Sequence, residues 1–513
     1  MASPHIVVVA HTAWGHIRPL CALVARLVKL RNSELDVTFF TNSSLHAKVA
    51  AEVARNFEEG EWKYETRIRV VGLPSNEQNP FDATKLNDAF EVQFRALAYG
   101  QPIYCAATET QLPPKKRPDA VLVDIFGIEL LRIVRAASPQ TKVWASGPGS
   151  VSIMYTVLGP FGRDSAGLLQ RRVDEHMAAT GKDLVQASLE VVASPSDEVV
   201  ETPGFQPMYK YENFPQQPIM DLPIIGLLHL GASSLIHECD AFVTATMPTY
   251  DPPAGINAFD DFFALTGRKM YLLGPLIPDT KRATNVSAQQ ATNAPQITTF
   301  LQGAVERFGE KSLVYIAFGS IFWTTQPDRL WTLLDVLMER KVPFILSHAS
   351  PFAQIPDEVA QKVKASALGM LTPWAPQQTI LEHPATGWFV THAGFNSVTE
   401  AIDAGVPLIC WPFGADQPLN TQLLTTELDV AYELTEVRTG PHARKPVHRT
   451  GVAPTCTLES VRAETQTVLD KAFGEDGARK RENIRKLRSA SRELWGQGGS
   501  ARLAALELLE TLN

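Results

Sequence analysis

Between Thr391 and Asn420 the chain reads THAGFNSVTEAIDAGVPLICWPFGADQPLN, and nine consecutive positions of it hold His392, Gly394, Asn396, Ser397 and Glu400. Asp416 and Gln417 follow sixteen residues after Glu400. Imidazole, amide and hydroxyl donors grouped around a glycine suit an anion that presents several oxygens. The run SVTEAIDA has helical spacing and stops at Gly405, while ATGWFVT before it and VPLIC after it are strand-like. Ser397 is placed as the N-cap of that short helix. A helix start at the carboxyl edge of a parallel sheet carries unsatisfied N–H groups and positive potential, which suits phosphate. Gly394 lets the backbone approach an anion closely. Glu400, one turn beyond Asn396, can accept from two vicinal hydroxyls, as a ribose presents. Asp416 and Gln417, placed on the next exit loop, suit another polyol. Together these are parts of a site for a nucleotide diphosphate sugar. The same Ser397 and Glu400 also fit an ordinary capping box, and an Asp-Gln pair in a loop also fits solvated surface; on these residues alone both readings stand.

The elements that must position such groups are readable along the chain. HIVVVA, LDVTFF, YETRIRVVGLP, DAVLVDIF and KVWASG are strand-like and alternate with helical patterns. One of these, RPLCALVARLVKL, sets Leu20, Leu23, Val24 and Leu27 at helical spacing. This alternation predicts a parallel, doubly wound sheet. Residues 273–295 are rich in Pro, Thr, Asn, Ala and Gln without apolar period, and read as a linker. SLVYIAFGS, VPFILSH, TGWFVTH and VPLICWP then restart the alternation. The expected architecture is α/β, with domains at 1–272 and 296–490 and a helical tail at 491–513 that packs back on the first domain. Ligands would lie at the carboxyl ends of the two sheets, in a cleft between them. Thr435–Thr455 reads as a surface insertion.

Composition narrows the partners. The chain has 513 residues, 45% of them apolar and 20% charged, with a net charge of −8. That length predicts more than one domain. So mild a charge leaves no footprint for nucleic acid or an anionic membrane surface. Cys21, Cys105, Cys239, Cys410 and Cys456 are dispersed with no CxxC pair, so neither a disulfide framework nor structural zinc is expected. MASPHIVVVA enters a strand directly and lacks the pattern of a secretion signal. The longest apolar run, LPIIGLLHLGASSLI, is broken by His229 and glycines, short of a transmembrane helix. A cytoplasmic monomer without a transmembrane segment is expected.

The run LTPWAPQQTILEHPATGWFVTHAGFNSVTEAIDAGVPLICWPFGADQPLN resembles, without a gap, the donor-binding signature of the family 1 UDP-dependent glycosyltransferases. These are GT-B enzymes, built from two Rossmann-like domains that face each other across a cleft. By that resemblance Trp374 stacks on uracil, with Ala375 beside it, and Gln377 reaches the ribose. His392, Gly394, Asn396 and Ser397 meet the diphosphate, Glu400 the ribose hydroxyls, and Asp416 with Gln417 the sugar. Ser320, after Gly319 in VYIAFGS, also meets the phosphates. Ala393 and Phe395 depart from the Cys and Trp usual in plant members, at packing or backbone positions.

The resemblance extends to the first domain. His16, after Gly15 and ahead of Pro19, which is placed at the opening of the first helix, matches the family's base. Asp124, at the end of the strand expected beside the first, matches its partner. His11 matches nothing and is read as structural. An imidazole with an ordinary pKa of about 6.5 can take a proton at neutral pH, and a carboxylate beside it orients the ring and stabilises the imidazolium. The implied reaction is inverting, uses no cofactor and no metal (the chain has no Asp-x-Asp triplet), and moves a hexose to a lipophilic hydroxylated small molecule. Gln417 favours UDP-glucose as donor. Phe81, Phe126, Ser146 and Met154 are expected around the acceptor. A dinucleotide oxidoreductase would need G-x-G-x-x-G after the first strand and an acidic residue after the second; the chain has only Gly15 and FFTNSS there. A non-catalytic nucleotide-sugar-binding subunit is the remaining alternative.

Overall fold

The computed structural model describes residues 3–10, 13–31, 34–76, 82–159, 161–162, 165, 167–219, 223–278 and 295–512. His11, Phe81 and residues 279–294 of the expected linker lie outside them. One sheet has seven parallel strands: β1 (His5–Val9), β2 (Asp36–Asn42), β3 (Ile68–Leu73), β4 (Ala120–Asp124), β5 (Lys142–Gly147), β6 (Ala241–Thr244) and β7 (Lys269–Leu272). Their order is β7-β6-β5-β4-β1-β2-β3. The other sheet has six, also parallel: β8 (Leu313–Ala317), β9 (Phe344–Ser347), β10 (Gly369–Thr372), β11 (Thr386–Thr391), β12 (Leu408–Cys410) and β13 (Ala431–Glu433). They run β10-β9-β8-β11-β12-β13.

In both sheets the first strand is central and the strand order reverses beside it. The connections leaving β1 and β4 diverge at the carboxyl edge, and so do those leaving β8 and β11. Each pair opens a crevice, the place where doubly wound sheets take ligands. The central strands are buried along their whole length. Helices cover both faces of such a sheet, so both faces must be apolar, which is why HIVVV, LVYIA and TGWFVT do not alternate with polar residues. Val7, Val9, Val121 and Val123 join Phe90, Phe94 and Phe259 in one core, while Val314, Ile316, Trp388 and Val390 join Leu330 and Leu333 in another. Each such side chain contributes about 1.5–3 kcal/mol by leaving water.

Six helices matter below: α1 (Trp14–Leu30), α2 (Val151–Leu158), α3 (Gln377–Glu382), α4 (Phe395–Ala404), α5 (Gln417–Thr426) and α6 (Ser500–Glu510). Pro19 does not open α1. The helix begins at Trp14, because the Ala13 carbonyl accepts from the N–H groups of His16 at 3.0 Å and Ile17 at 3.2 Å. Pro19 lies inside, in the second turn, where it cannot supply the N–H that an i→i−4 bond to the Gly15 carbonyl would take.

Two compact units emerge. One comprises Met1–Ala193, Pro223–Val286 and Glu493–Asn513, the other Ser194–Leu222 and Ser287–Arg492. Ser194–Leu222, inside the expected first domain, thus belongs with the second unit. In the first unit α6 packs on α1 and β7. There the Arg26 guanidinium sits 4.5 Å from the Trp495 ring centroid, and Trp495 Nε1–H donates to the Leu273 carbonyl at 3.0 Å. All five cysteines are buried and unpaired. Among the described residues no helix is long and apolar enough to cross a membrane.

Candidate active site

β1 and β4 are neighbours, with Val9 opposite Val123, so the turn after β1 and the end of β4 emerge together. His16, in the first turn of α1 beside Gly15, turns Nδ1 to Asp124 Oδ2 at 2.7 Å. The other oxygen of Asp124 accepts the Phe126 N–H at 3.0 Å. Its loop is pinned by the Ile125 N–H on the Ser146 carbonyl at 2.9 Å and the Gly127 N–H on the Asp124 carbonyl at 2.7 Å. The Asp124 side chain is 2% exposed and that of His16 is 19% exposed. A carboxylate shut off from solvent therefore holds an imidazole that is partly exposed. The contact places the proton of a neutral ring on Nδ1 and leaves Nε2 as the acceptor. Phe126 stacks on the same ring, centroids 5.2 Å apart. Ser146 pairs with Asp124 across β4 and β5. Met154 of α2 packs at the end of β5, its sulfur 2.8 Å from where a Cβ on Gly147 would stand.

In the second sheet, β8 and β11 are neighbours. His392 follows β11 and Gly319 follows β8. A Cβ placed on Gly319, where φ is +77°, would stand 3.1 Å from His392 Nε2, and one on Gly394 would stand 2.6 Å from it. The imidazole is held between two glycine backbones, and a side chain at either position would displace it. Burial pulls the His392 pKa down to about 4, so the ring is neutral at pH 7. The Ala393 N–H donates to Thr391 Oγ1 at 3.3 Å, and that hydroxyl faces His392 Nδ1 at 3.3 Å. Where that hydroxyl donates to Nδ1, the ring proton is on Nε2, the nitrogen beside both glycines.

Ser397 is not the N-cap of α4. The helix starts at Phe395 with Gly394 as the cap residue, which makes Ser397 a first-turn residue. Capping comes from far along the chain: Asp416 Oδ2 accepts the Phe395 N–H at 3.0 Å and Asn420 Nδ2 at 2.8 Å. Asn420 Nδ2 also donates to the Ala393 carbonyl at 3.0 Å, in a turn where Ala393 takes a φ of +63°. Glu400 lies in the second turn and pairs with another element: Gln377 Nε2, at the start of α3, donates to its carboxylate and stands 3.4 Å from Ser397 Oγ. Tyr315 OH on β8 lies 3.5 Å from Gln377 Oε1. Burial, and then the Glu400 carboxylate, push this phenol above its ordinary pKa. Asn396 is half-buried next to Ser397.

Trp374, just past β10, is 53% exposed, and Thr372 Oγ1 fixes its carbonyl at 2.7 Å. A broad apolar face thus meets water, with Ala375 next to it. Ser320 is exposed in the turn after β8. Gln417 opens α5 rather than lying in a loop, and its Oε1 accepts the N–H of Phe413 at 2.8 Å and of Gly414 at 3.3 Å. Among the described residues no three His, Cys, Asp or Glu side chains form a group that could hold a metal ion. Residue types alone did not mark Tyr315, Thr391 or the anchoring part of Asn420. The one available signal was Tyr315, a polar tip inside the otherwise apolar strand LVYIA.

A protein of Hericium erinaceus, UDP-glycosyltransferase eriJ, is 32% identical to this chain over 519 residues, covering 99% of this chain and 98% of its own. The chain belongs to the UDP-glycosyltransferase family. The family described as UDP-glucoronosyl and UDP-glucosyl transferase matches residues 268–436, a span that includes β8 to β13. An anthocyanidin 3-O-glucosyltransferase of Solanum melongena is 28% identical over 48% of this chain and 53% of its own length. Among solved structures, Phytolacca americana UGT2, complexed with UDP-2-fluoro-glucose and pterostilbene, superposes with a TM-score of 0.68 at 19% identity. It covers 99% of this chain and all of that one. A transferase from Siraitia grosvenorii in complex with UDP gives 0.67 at 18% identity, over 99% of each chain. At these identities the likeness is one of fold, and that fold is GT-B. This UDP-glycosyltransferase therefore carries two doubly wound sheets, each with a histidine at its central crevice.

Proposed function

We propose that the protein transfers a hexose, glucose first among the candidates, from a UDP-sugar to a hydroxyl of a lipophilic small molecule with inversion, giving a β-glycoside. The observation that carries this reading is the 2.7 Å contact between His16 Nδ1 and Asp124, which leaves Nε2 as a base. A purely binding subunit has no use for a buried carboxylate aimed at a half-open imidazole. In the proposed step the acceptor hydroxyl gives its proton to His16 Nε2. Its oxygen bonds to the anomeric carbon from the face opposite UDP, and the bond from that carbon to the phosphate oxygen breaks with its electron pair leaving on UDP. Asp124 steadies the imidazolium.

On the donor side, Trp374 offers a face for uracil, and Gln377 with Glu400 offers a polar pair for the ribose. His392 Nε2–H, Ser320, and the α4 start with Asn396 and Ser397 meet the diphosphate. Fixed donors in a dry site stabilise the charge that develops on the leaving group, so no metal or other cofactor is required. Asp416 and the Gln417 amide nitrogen meet the hexose. Phe126, Ser146 and Met154 lie near the base and line the acceptor side. Phenols should react faster than alcohols, since a pKa near 10 makes their proton easier to remove. We also propose a cytoplasmic monomer. The names of the plant relatives, glucosyltransferases of flavonols and anthocyanidins, support the choice of donor and of acceptor class.

The test is to incubate the protein with UDP-glucose, EDTA and a panel of phenols and alcohols, following UDP release and product mass. A β-glucoside formed in EDTA is the expected result. UDP-glucose that binds without transfer to any acceptor would favour the binding-subunit alternative.

A further inference from the structure

The reaction above leaves two segments without a task, Ser194–Leu222 and the insertion at Thr435–Thr455, and these are built into each other. Glu212 is buried. Its Oε1 accepts the N–H groups of Tyr209 and His448, both at 3.0 Å, and its Oε2 stands 3.8 Å from Arg438 Nη2. The same Arg438 nitrogen lies 3.1 Å from Glu433 Oε1, and Arg449 pairs with the other oxygen of Glu433. Two carboxylates and two guanidiniums thus form one inner network joining the excursion, the insertion and the end of β13. Around it, Gln216 Nε2 donates to the Val437 carbonyl at 3.0 Å and the Gln217 N–H to Thr439 Oγ1 at 2.7 Å. Removing one partner from such a network strands a buried charge, so it is a stiff fastening.

What it fastens lies against the loop that carries Asp416. Gln422 of α5 donates to the Gln206 carbonyl at 2.8 Å, and the turn Lys210–Asn213 packs on α5. The Asn213 carbonyl is 4.0 Å from where a Cβ on Gly414 would stand. Glu433 pairs with Cys410, the last residue of β12, immediately before the loop Trp411–Asp416. Loop and helix are therefore held from inside by Gln417 and Asn420 and from outside by the excursion. The loop in turn reaches α4 through the Asp416 cap, so the hexose side stands nearer the clamp than the nucleotide side does.

We propose that the excursion and the insertion form a clamp that positions the hexose subsite, with Glu212 and Arg438 as positioning residues, so that clamp stiffness sets the affinity for the sugar end of the donor. This rests on the hexose role given above to Asp416 and Gln417. A loosened clamp lets the loop sample more positions, which costs hexose contacts first, while UDP loses only what the Asp416 cap on α4 contributes.

The test compares UDP-glucose and UDP binding by calorimetry, well below the unfolding temperature. Arg438→Met should weaken UDP-glucose about fivefold or more and UDP by less than about twofold, with Arg438→Lys recovering part of the loss. Gln422→Met should shift the same ratio by roughly twofold to threefold. Equal losses for both ligands, or no loss, would overturn the clamp. If Arg438→Met does not fold, Gln422→Met decides by the same ratio. Gln417→Ala, measured in parallel, separates the two layers, because the Gln417 side chain bonds to Phe413 and Gly414 within the loop. If it too fails to discriminate, the hexose reading falls; if it discriminates and the clamp variants do not, the clamp alone falls.

Discussion

His16 and His392 both stand at the carboxyl edge of a parallel sheet, His16 in the first turn of the helix after β1 and His392 directly after β11, yet their surroundings are opposite. His16 has a buried carboxylate on Nδ1 at 2.7 Å and a partly exposed ring. His392 faces a threonine hydroxyl on Nδ1 and two glycine backbones at Nε2, and burial holds its pKa near 4. The first environment sets a carboxylate beside the ring; the second buries the ring and disfavours its charged form. The same residue type at the edges of two similar sheets can serve as a base in one and a neutral donor in the other, because the neighbour sets the charge state.

The sharpest way to break that contrast is His16→Ala. It should lower kcat by roughly 10³-fold or more, with UDP affinity within about twofold of the parent. Asp124→Asn keeps the shape but loses the charge that steadies the imidazolium. A fall of about 10²–10³ in kcat is expected, again without effect on UDP in a titration calorimeter.

A third test uses acid. In the unfolded chain the His392 ring has its ordinary pKa of 6.5, and in the folded protein about 4. Between those values the unfolded chain binds the proton and the folded one does not, so stability rises with pH. The contribution is fully present above about pH 6.5 and is lost as pH falls toward 4, with a span of about 3 kcal/mol. His392→Gln should flatten part of the dependence measured by denaturant melts from pH 7 to pH 4. The remainder belongs in part to His5, which burial also pulls down to about 4. An unchanged slope would mean that His392 is not held neutral.

The smallest expected effects are on UDP affinity. His392→Ala should weaken UDP about tenfold, near 1.4 kcal/mol, through the lost Nε2–H donor. Gly394→Ala, whose methyl would crowd Nε2, should match it in direction. A large loss of kcat at undiminished UDP affinity in either variant would erase the distinction between the two histidines.

Much of this was legible in the sequence because it is local. The fully apolar strands, the stop of α4 at Gly405 and the grouping of His392 to Glu400 all follow from residue types over short spans. What was not legible depends on partners distant in sequence. Ser397 looked like an N-cap because its type favours caps, but Asp416 performs that task from across the next strand. Pro19 looked like a helix start, but the Ala13 carbonyl begins the ladder earlier. β6, β7, β10 and β13 are only three or four residues long, too short for a clear period. The membership of Ser194–Leu222 in the second unit is set by Glu212, Gln216 and Gln217, whose partners lie more than two hundred residues away.

A crystal structure of the protein with UDP tests the division of labour most directly. A diphosphate oxygen is expected about 3 Å from His392 Nε2 at the start of α4, with uracil against Trp374 and no nucleotide atom on His16. A diphosphate bound at His16, or away from α4, would contradict it.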